Sequence, residues 1–373
     1  MATLDEPFAT AVPGELVVDL EHLPLIERGL SALGLDTGYK VDQENRTLGL
    51  ALLTGFDGTA GFLDGVLYEL RRRFSGKYGG WFPAMGKHRV ADLIRPAGPK
   101  PMSESLPEPA EPGTIPAAAT TVADVKVGVI DTPVYPHRSL PAALVTVCGA
   151  PGGPPPEGVL RAGHGTFVTS VIRAAAPAAH IEAKGVLNRP DYTATGWEVA
   201  VAIADLAQRV DILNLSFGCF TEDGEAPLVI RRAIERVPAG VTVVAAAGNH
   251  GDVVGLVRGR TSRSPAFPAA QSWVLAVGSS GTPAEPGSPA LSSFTPDLPW
   301  VDRTARGINV LGAFPSELED GVYTGWATWS GTSFATATVT GKLAAKLGAG
   351  ESVEDALAQL EHEGVHKFEL PQD

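Results

Sequence analysis

Cysteine is nearly missing from this chain: Cys148 and Cys219 are the only two in 373 residues. Two thiols cannot build a disulfide framework, and this pair has no Cys-x-x-Cys spacing, so a stapled mini-fold and a thiolate metal site are both excluded. Both read as ordinary core or loop thiols. Basic residues are also short, with 29 Lys and Arg against 42 Asp and Glu and a formal net charge of -13. Phosphate binding needs clustered cations, so nucleic acid is not the expected partner. No apolar run approaches the roughly 20 residues of a membrane helix, so no membrane partner is expected either. The start, Met1 to Pro7, carries acids in place of a basic region, and no apolar segment with a cleavage site follows it. The expectation is a cytoplasmic protein, or a secreted one if a leader has been removed.

What the chain does have is 44% hydrophobic residues, enough for one substantial core and a smaller one. Proline, alanine and acid dominate residues 95–121, which read as an extended linker. Ahead of it, residues 1–94 read as a small α+β domain. Glu15 to Leu20 suits a strand, Pro24 to Leu33 a helix, and Gly38 to Leu53 two strands. Gly61 to Phe74 then suits a helix, and Trp81 to Met85 a last strand. Strand-helix-strand-strand-helix-strand is the ferredoxin-like order.

Residues 122–373 have a different texture. Short β-branched runs at Val125 to Ile130, Ile181 to Val186, Asp211 to Leu215, Val241 to Ala246 and Val274 to Val277 suit buried parallel strands. Between them lie helical patterns. Thr195 with Glu198 forms a capping box ahead of a helix to Ala207, and Ser352 with Asp355 opens a helix through Gln359. The fold class is therefore α/β, a doubly wound, mostly parallel sheet with a smaller N-terminal α+β domain. In such sheets ligands bind outside the carboxyl ends of the strands, where Asp131 stands.

Ser333 follows Gly331-Thr332 at the start of a helical run to Leu347, so its hydroxyl and N–H lie at the positive end of a helix dipole. An N-capping role would account for a lone serine there. A hydroxyl nucleophile requires a base. His164, between Gly163 and Gly165 at another helix start, can supply one, although a lone histidine is more often structural. Asp131 can accept the Nδ1–H of an imidazole and leave Nε2 as base; otherwise it is a strand-end turn residue.

Their joint order Asp, His, Ser carries a resemblance. Val129-Ile130-Asp131-Thr132, Gly163-His164-Gly165-Thr166 and Gly331-Thr332-Ser333-Phe334-Ala335 resemble the three catalytic blocks of the subtilisin-like serine proteases, the subtilases. Asp211 to Gly218 resembles the strand that lines their substrate cleft, and Ala245 to Asn249 the block with the side-chain oxyanion donor. The resemblance covers about residues 122 to 348. It implies a serine endopeptidase that acts on a protein or peptide through a Ser333 acyl-enzyme, with His164 as general base and Asp131 as orienting acid. Asn249 would donate to the oxyanion; without that role it is a turn residue with positive φ. Ser216, Phe217 and Gly218 would offer backbone groups to an extended peptide. His137 and His180 match no block and read as structural.

No cofactor is required by this chemistry. Calcium, often bound in the family, stays open, since no oxygen-ligand loop of recognisable spacing appears. Glu222, Asp223, Glu225, Glu317, Glu319 and Asp320 read as solvated loops, and no metal ligand is assigned. Pro133 stands where the family has glycine, and Ala337-Thr338 where it has proline-histidine; neither removes a catalytic group. Arg258, Arg260 and Arg263 either line a pocket that favours acidic residues or form a solvated basic loop. The N-terminal domain resembles a propeptide that contacts the cleft, or is a recognition domain for a partner protein. The rival functions are a dedicated maturation protease for one precursor peptide, docked by that domain, and an inactive peptide-binding pseudoprotease.

Overall fold

The computed structural model describes residues 11–92, 106–113, 124–149, 153–256, 260–281, 291–318 and 321–368. The first stretch contains β1 (Ala11–Asp19), α1 (Leu23–Ser31), β2 (Lys40–Asn45), β3 (Leu50–Thr54), α2 (Phe62–Lys77) and β4 (Met85–Asp92). The strands order as β2-β3-β1-β4, all antiparallel, the ferredoxin-like arrangement expected from the element order. Side chains alternate across each strand. Leu16, Val18, Ala51 and Leu53 face Ile26 and Leu30 of α1 and Val66, Leu67, Leu70 and Phe74 of α2. Val17, Leu50 and Leu52 turn the other way, into a second core described below.

The last strand lies later than expected. Gly79 and Gly80 both turn with positive φ, and pairing begins only at Met85. Polar residues Lys87, His88, Arg89 and Asp92 fill β4, so no apolar run marks it.

Within the expected linker, residues 106–113 are described, and they lie against the larger unit. Glu108–Pro109, β5, pairs antiparallel with a strand at Ala327 and Thr328, and the Tyr323 hydroxyl donates to the Pro107 carbonyl at 2.6 Å. This part of the linker is pinned.

After it come β6 (Lys126–Asp131), β7 (Val145–Cys148), α3 (His164–Ala175), β8 (His180–Gly185), β9 (Thr193–Thr195), α4 (Gly196–Leu206) and β10 (Ile212–Leu215). Then follow α5 (Leu228–Glu235), β11 (Thr242–Ala246), β12 (Val274–Ser280), β13 (Arg303–Arg306), β14 (Val310–Ala313) and β15 (Trp326–Trp329). The chain closes with α6 (Thr332–Gly348), α7 (Val353–Leu360) and β16 (Val365–Lys367). Eight strands form one sheet in the order β16-β13-β12-β11-β10-β6-β8-β7, parallel except for β16. The first capping box forms, Thr195 Oγ1 accepting from the Glu198 N–H at 3.2 Å and Glu198 Oε2 from the Thr195 N–H at 2.7 Å, whereas Ser352 acts as a simple N-cap, its Oγ accepting from the Asp355 N–H at 3.1 Å.

The sheet is covered on both faces, as a parallel sheet must be. Val127, Val129, Ile212 and Val244 pack with Phe167, Val168 and Ile172 of α3 and with Phe334, Val339 and Leu343 of α6. Ile130, Leu213, Leu215 and Val243 pack with α4 and α5, in the same core as Val17, Leu48, Leu50, Leu52 and Ala91. The small N-terminal sheet is thus buried on both faces, one under its own helices and one under α4 and α5.

Candidate active site

Asp131 ends β6, His164 opens α3 and Ser333 is the second residue of α6. All three are buried, with 1%, 5% and 4% of their surface exposed. The His164 Nδ1–H donates to Asp131 Oδ1 at 2.7 Å, which fixes the tautomer and leaves Nε2 as the basic nitrogen. The Thr132 N–H also donates to Asp131 Oδ1, at 2.7 Å. His164 lies edge-on to Trp329 at 5.4 Å and against Phe334 at 5.4 Å, so aromatic walls from β15 and α6 confine its ring.

Thr132 ties the aspartate strand to the histidine helix. Its Oγ1 accepts from the Gly165 N–H at 2.8 Å and donates to the Ala162 carbonyl at 3.1 Å, gripping the chain on both sides of His164. That approach requires glycine at 165, because a Cβ there would stand 2.1 Å from the Thr132 carbonyl oxygen.

At the start of α6 the first N–H groups have no partner within the helix. Asn249 Oδ1 takes one of them, accepting from the Thr332 N–H at 2.9 Å and from Thr332 Oγ1 at 3.0 Å. The amide is thereby oriented, with Nδ2 lying 3.5 Å from where a Cβ on Gly331 would stand. The positive φ expected at this turn belongs to Gly248, at 107°, and not to Asn249. The Ser333 N–H, next along the helix, opens at the same end.

Ser333 Oγ does not bond to His164 among the described residues; it donates to the Ser216 carbonyl at 3.1 Å. Ser216 Oγ in turn donates to the Ser333 carbonyl at 3.1 Å. The nucleophile candidate therefore rests on the strand end beyond β10.

Of the expected peptide-binding residues, Phe217 sends its side chain into the α4–α5 core. Gly218 offers both backbone groups, and both are taken. The Asp92 N–H donates to the Gly218 carbonyl at 3.0 Å and the Gly218 N–H to the Asp92 carbonyl at 2.9 Å. Along its other edge β4 pairs antiparallel with β9, Val90 opposite Thr195 and Asp92 opposite Thr193. The end of β4 thus lies between β9 and Gly218.

The other charged and titratable groups sort by burial. Arg260 is buried, its guanidinium 4.8 Å from the Phe220 ring centre, while Arg263 is exposed. The solvated-loop expectation fails at Arg260, and Arg258 lies outside the described residues. His250 stacks edge-on to Phe220 and donates from Nε2 to the Ser264 carbonyl at 2.8 Å. Burial lowers its pKa to about 4. Burial likewise pushes the Cys219 thiol up to about 12, leaving it an inert core residue.

The acidic residues of the expected solvated loops have partners of their own. Glu222 is committed to Lys87 and Arg89, at 3.3 and 3.4 Å, and Asp223 accepts from the Glu225 N–H. Among the described residues one group of acidic and histidine side chains converges, Asp19, Glu21 and His22, and the Arg232 guanidinium lies 3.6 Å from Asp19. Glu319 and Asp320 lie outside the described residues. No described helix is long and apolar enough to cross a membrane.

Residues 123–358, more than half of the chain, match the subtilase family model, Peptidase S8. The chain belongs to the subtilase family. It is 30% identical over 192 residues to the major intracellular serine protease of Bacillus subtilis (strain 168), covering 49% of this subtilase and 54% of that protein. The intracellular serine protease of Paenibacillus polymyxa is 30% identical over 191 residues, covering 49% and 52%. The minor extracellular protease Epr of Bacillus subtilis (strain 168) is 28% identical over 233 residues, 59% of this chain and 31% of Epr. This subtilase thus spans about half the length of two of these relatives, and less of Epr. Among solved structures, fervidolysin from Fervidobacterium pennivorans, a keratinolytic enzyme related to subtilisin, shares the fold at a TM-score of 0.62 and 17% identity, with 96% of this chain and 58% of that chain covered. The protease domain of PatA aligns at a TM-score of 0.50 and 25% identity, covering 65% and 88%.

The residues that sequence reasoning missed are mostly polar ones inside the core. Thr132, Asn214 and Thr340 are all wholly buried. Of the three only Asn214 left a signal, because it interrupts the apolar run Ile212-Leu213-Asn214-Leu215 on its α6 side.

Proposed function

We propose that this subtilase hydrolyses peptide bonds through an acyl-enzyme on Ser333. The observation that supports it most is the buried Asp131–His164 pair at 2.7 Å, set beside the N-terminus of α6 that carries Ser333. Ser333 turns its hydroxyl from the Ser216 carbonyl to His164 Nε2, a rotation about one side-chain bond. It attacks the scissile carbonyl while His164 takes the proton, and Asp131 stabilises the imidazolium that forms. The Asn249 amide and the Ser333 N–H receive the oxyanion, aided by the helix dipole. His164 returns the proton to the leaving amine, and water then repeats the sequence to free Ser333. No metal or organic cofactor takes part in these steps.

The substrate is an extended peptide that adds as a strand between β9 and Gly218, because β4 already uses those backbone groups in this way. By the same token residues 11–92 cover the cleft, and this favours the propeptide-like reading over a recognition domain held elsewhere. We place the protein in the cytoplasm, as the names of the Bacillus and Paenibacillus intracellular relatives suggest for them.

Incubation of the full chain followed by intact-mass measurement tests both parts. Wild type is expected to cut itself within residues 93–105, just past Asp92, and then to hydrolyse casein; Ser333→Ala should do neither. An uncut chain that hydrolyses casein would overturn the propeptide-like reading alone. Cleavage of one precursor peptide with casein untouched would favour a dedicated maturation protease. Equal hydrolysis by Ser333→Ala would overturn the catalytic assignment.

A further inference from the structure

Asn214 and Ser216 stand two residues apart at the carboxyl end of β10, on the face of the sheet that packs against α6. Asn214 Nδ2 donates to Ser216 Oγ at 2.9 Å, and Ser216 Oγ donates to the Ser333 carbonyl at 3.1 Å. At its other atom, Asn214 Oδ1 accepts from Thr340 Oγ1 at 3.0 Å. Ser333 and Thr340 lie on one face of α6, two turns and about 10 Å apart. Asn214, Ser216 and Thr340 have no exposed surface at all.

This arrangement is costly unless complete, because a buried polar group without a partner loses its hydration for nothing. Every polar side-chain atom in the chain Thr340–Asn214–Ser216 has a partner, and its end reaches the backbone of the residue proposed as nucleophile. Apolar side chains at 214 and 340 would pack the same interface without fixing how far α6 slides along β10. The hydrogen bonds fix that register at two points.

We propose that Asn214 and Ser216 are positioning residues that brace α6 against β10 and so hold the Ser333 backbone in place. The proposal rests on the reading of Ser333 as nucleophile. It assigns the Asn214 side chain no contact with substrate. Its effect belongs to the rate of acylation and not to the binding of the peptide, which uses backbone groups.

The test combines two readouts on the full chain. One is the rate of reaction with a fluorophosphonate at saturating probe, separated from the half-saturating concentration. The other is amide hydrogen exchange over residues 330–338, which needs no activity. Ser216→Ala is expected to lower the saturating rate about tenfold, or about 1.4 kcal/mol, with the half-saturating concentration within about twofold. Thr340→Val, nearly isosteric and two turns from Ser333, should lower that rate about threefold, and Thr340→Ser, which keeps the hydroxyl, should restore it. Exchange over 330–338 should quicken in Ser216→Ala and Thr340→Val. Wild-type exchange and rate in both variants, or a loss confined to the half-saturating concentration, would overturn the brace. If wild type fails to react at all, the nucleophile assignment falls, while exchange still decides whether the brace exists.

Discussion

At Gly165 a single methyl group decides whether His164 keeps its place. A Cβ there would meet the Thr132 carbonyl oxygen at 2.1 Å, so α3 and the end of β6 would have to separate. Gly165→Ala is expected to cost about 1–3 kcal/mol in denaturant unfolding. Because the same separation lengthens the His164–Asp131 contact, kcat should fall by about 10². Unfolding at the wild-type midpoint would contradict the close approach. Asn249 is best tested by Asn249→Asp, which keeps an oxygen for the Thr332 N–H and removes the donor. In a member of this family, loss of one such donor costs about 10²–10³ in rate. The expectation here is a drop of that size in kcat, with KM little changed. Asp131, His164, Ser333 and Asn249 could be singled out because each stands in a short recognisable block, three of them with a nearby glycine, and the blocks occur in a fixed order. Thr132 and Thr340 were not, since a threonine in an apolar run looks like any β-branched core residue until its hydroxyl is placed.

Strand β4 shows what an element's sequence hides. Its residues are polar because it meets the larger unit along one edge, at β9, and along its polar face, and a period-2 apolar pattern never develops. His88 is the clearest case. Its Nδ1–H donates to Glu15 Oε2 at 2.6 Å, and its Nε2 accepts the Trp197 N–H at 3.0 Å, capping the first turn of α4. That double role requires a neutral ring. Burial lowers its pKa most, with Arg189 adding to this, while Glu15 and Glu198 oppose it. A lowered folded pKa means that the unfolded chain takes up the proton first. The stabilisation is therefore complete above the ordinary histidine value of about 6.5 and is lost as pH falls below it. His250 acts with the same sign, over pH about 6.5 down to about 4. His88→Gln keeps a donor and an acceptor but does not titrate. It should shrink, without abolishing, the fall in unfolding free energy on acidification below about pH 6.5. An unchanged slope would show that His88 does not carry it. Of the five strands expected after residue 122, four were legible as apolar runs and β8 by its alternation, with Ile181 and Ala183 buried and Glu182 and Lys184 between and beyond them. Strands β7, β9, β13 and β16, each of three or four residues, are too short to show a period.

Across the whole molecule the N-terminal sheet is a buried layer. Val17, Leu48, Leu50 and Leu52 face α4 and α5 in one continuous core, so a cut after Asp92 frees the end of β4 to leave the cleft but should not by itself separate the two parts. Gel filtration of the cut chain is expected to show a single species, and Leu50→Asp, which places a carboxylate in that core, should release the N-terminal part. Separation of the unmodified cut chain would contradict the shared core. Composition and element order made both layers legible, whereas their docking was not, because the leucines on either face of β3 read alike. The claim on which all of this depends is that Ser333 is a nucleophile activated by His164. Reaction of the full chain, intact or self-cut, with a fluorophosphonate, followed by mapping of the adduct, tests it most directly. One adduct, on Ser333, lost in His164→Ala, is the result this account predicts; an adduct elsewhere, or none on either form, would contradict it.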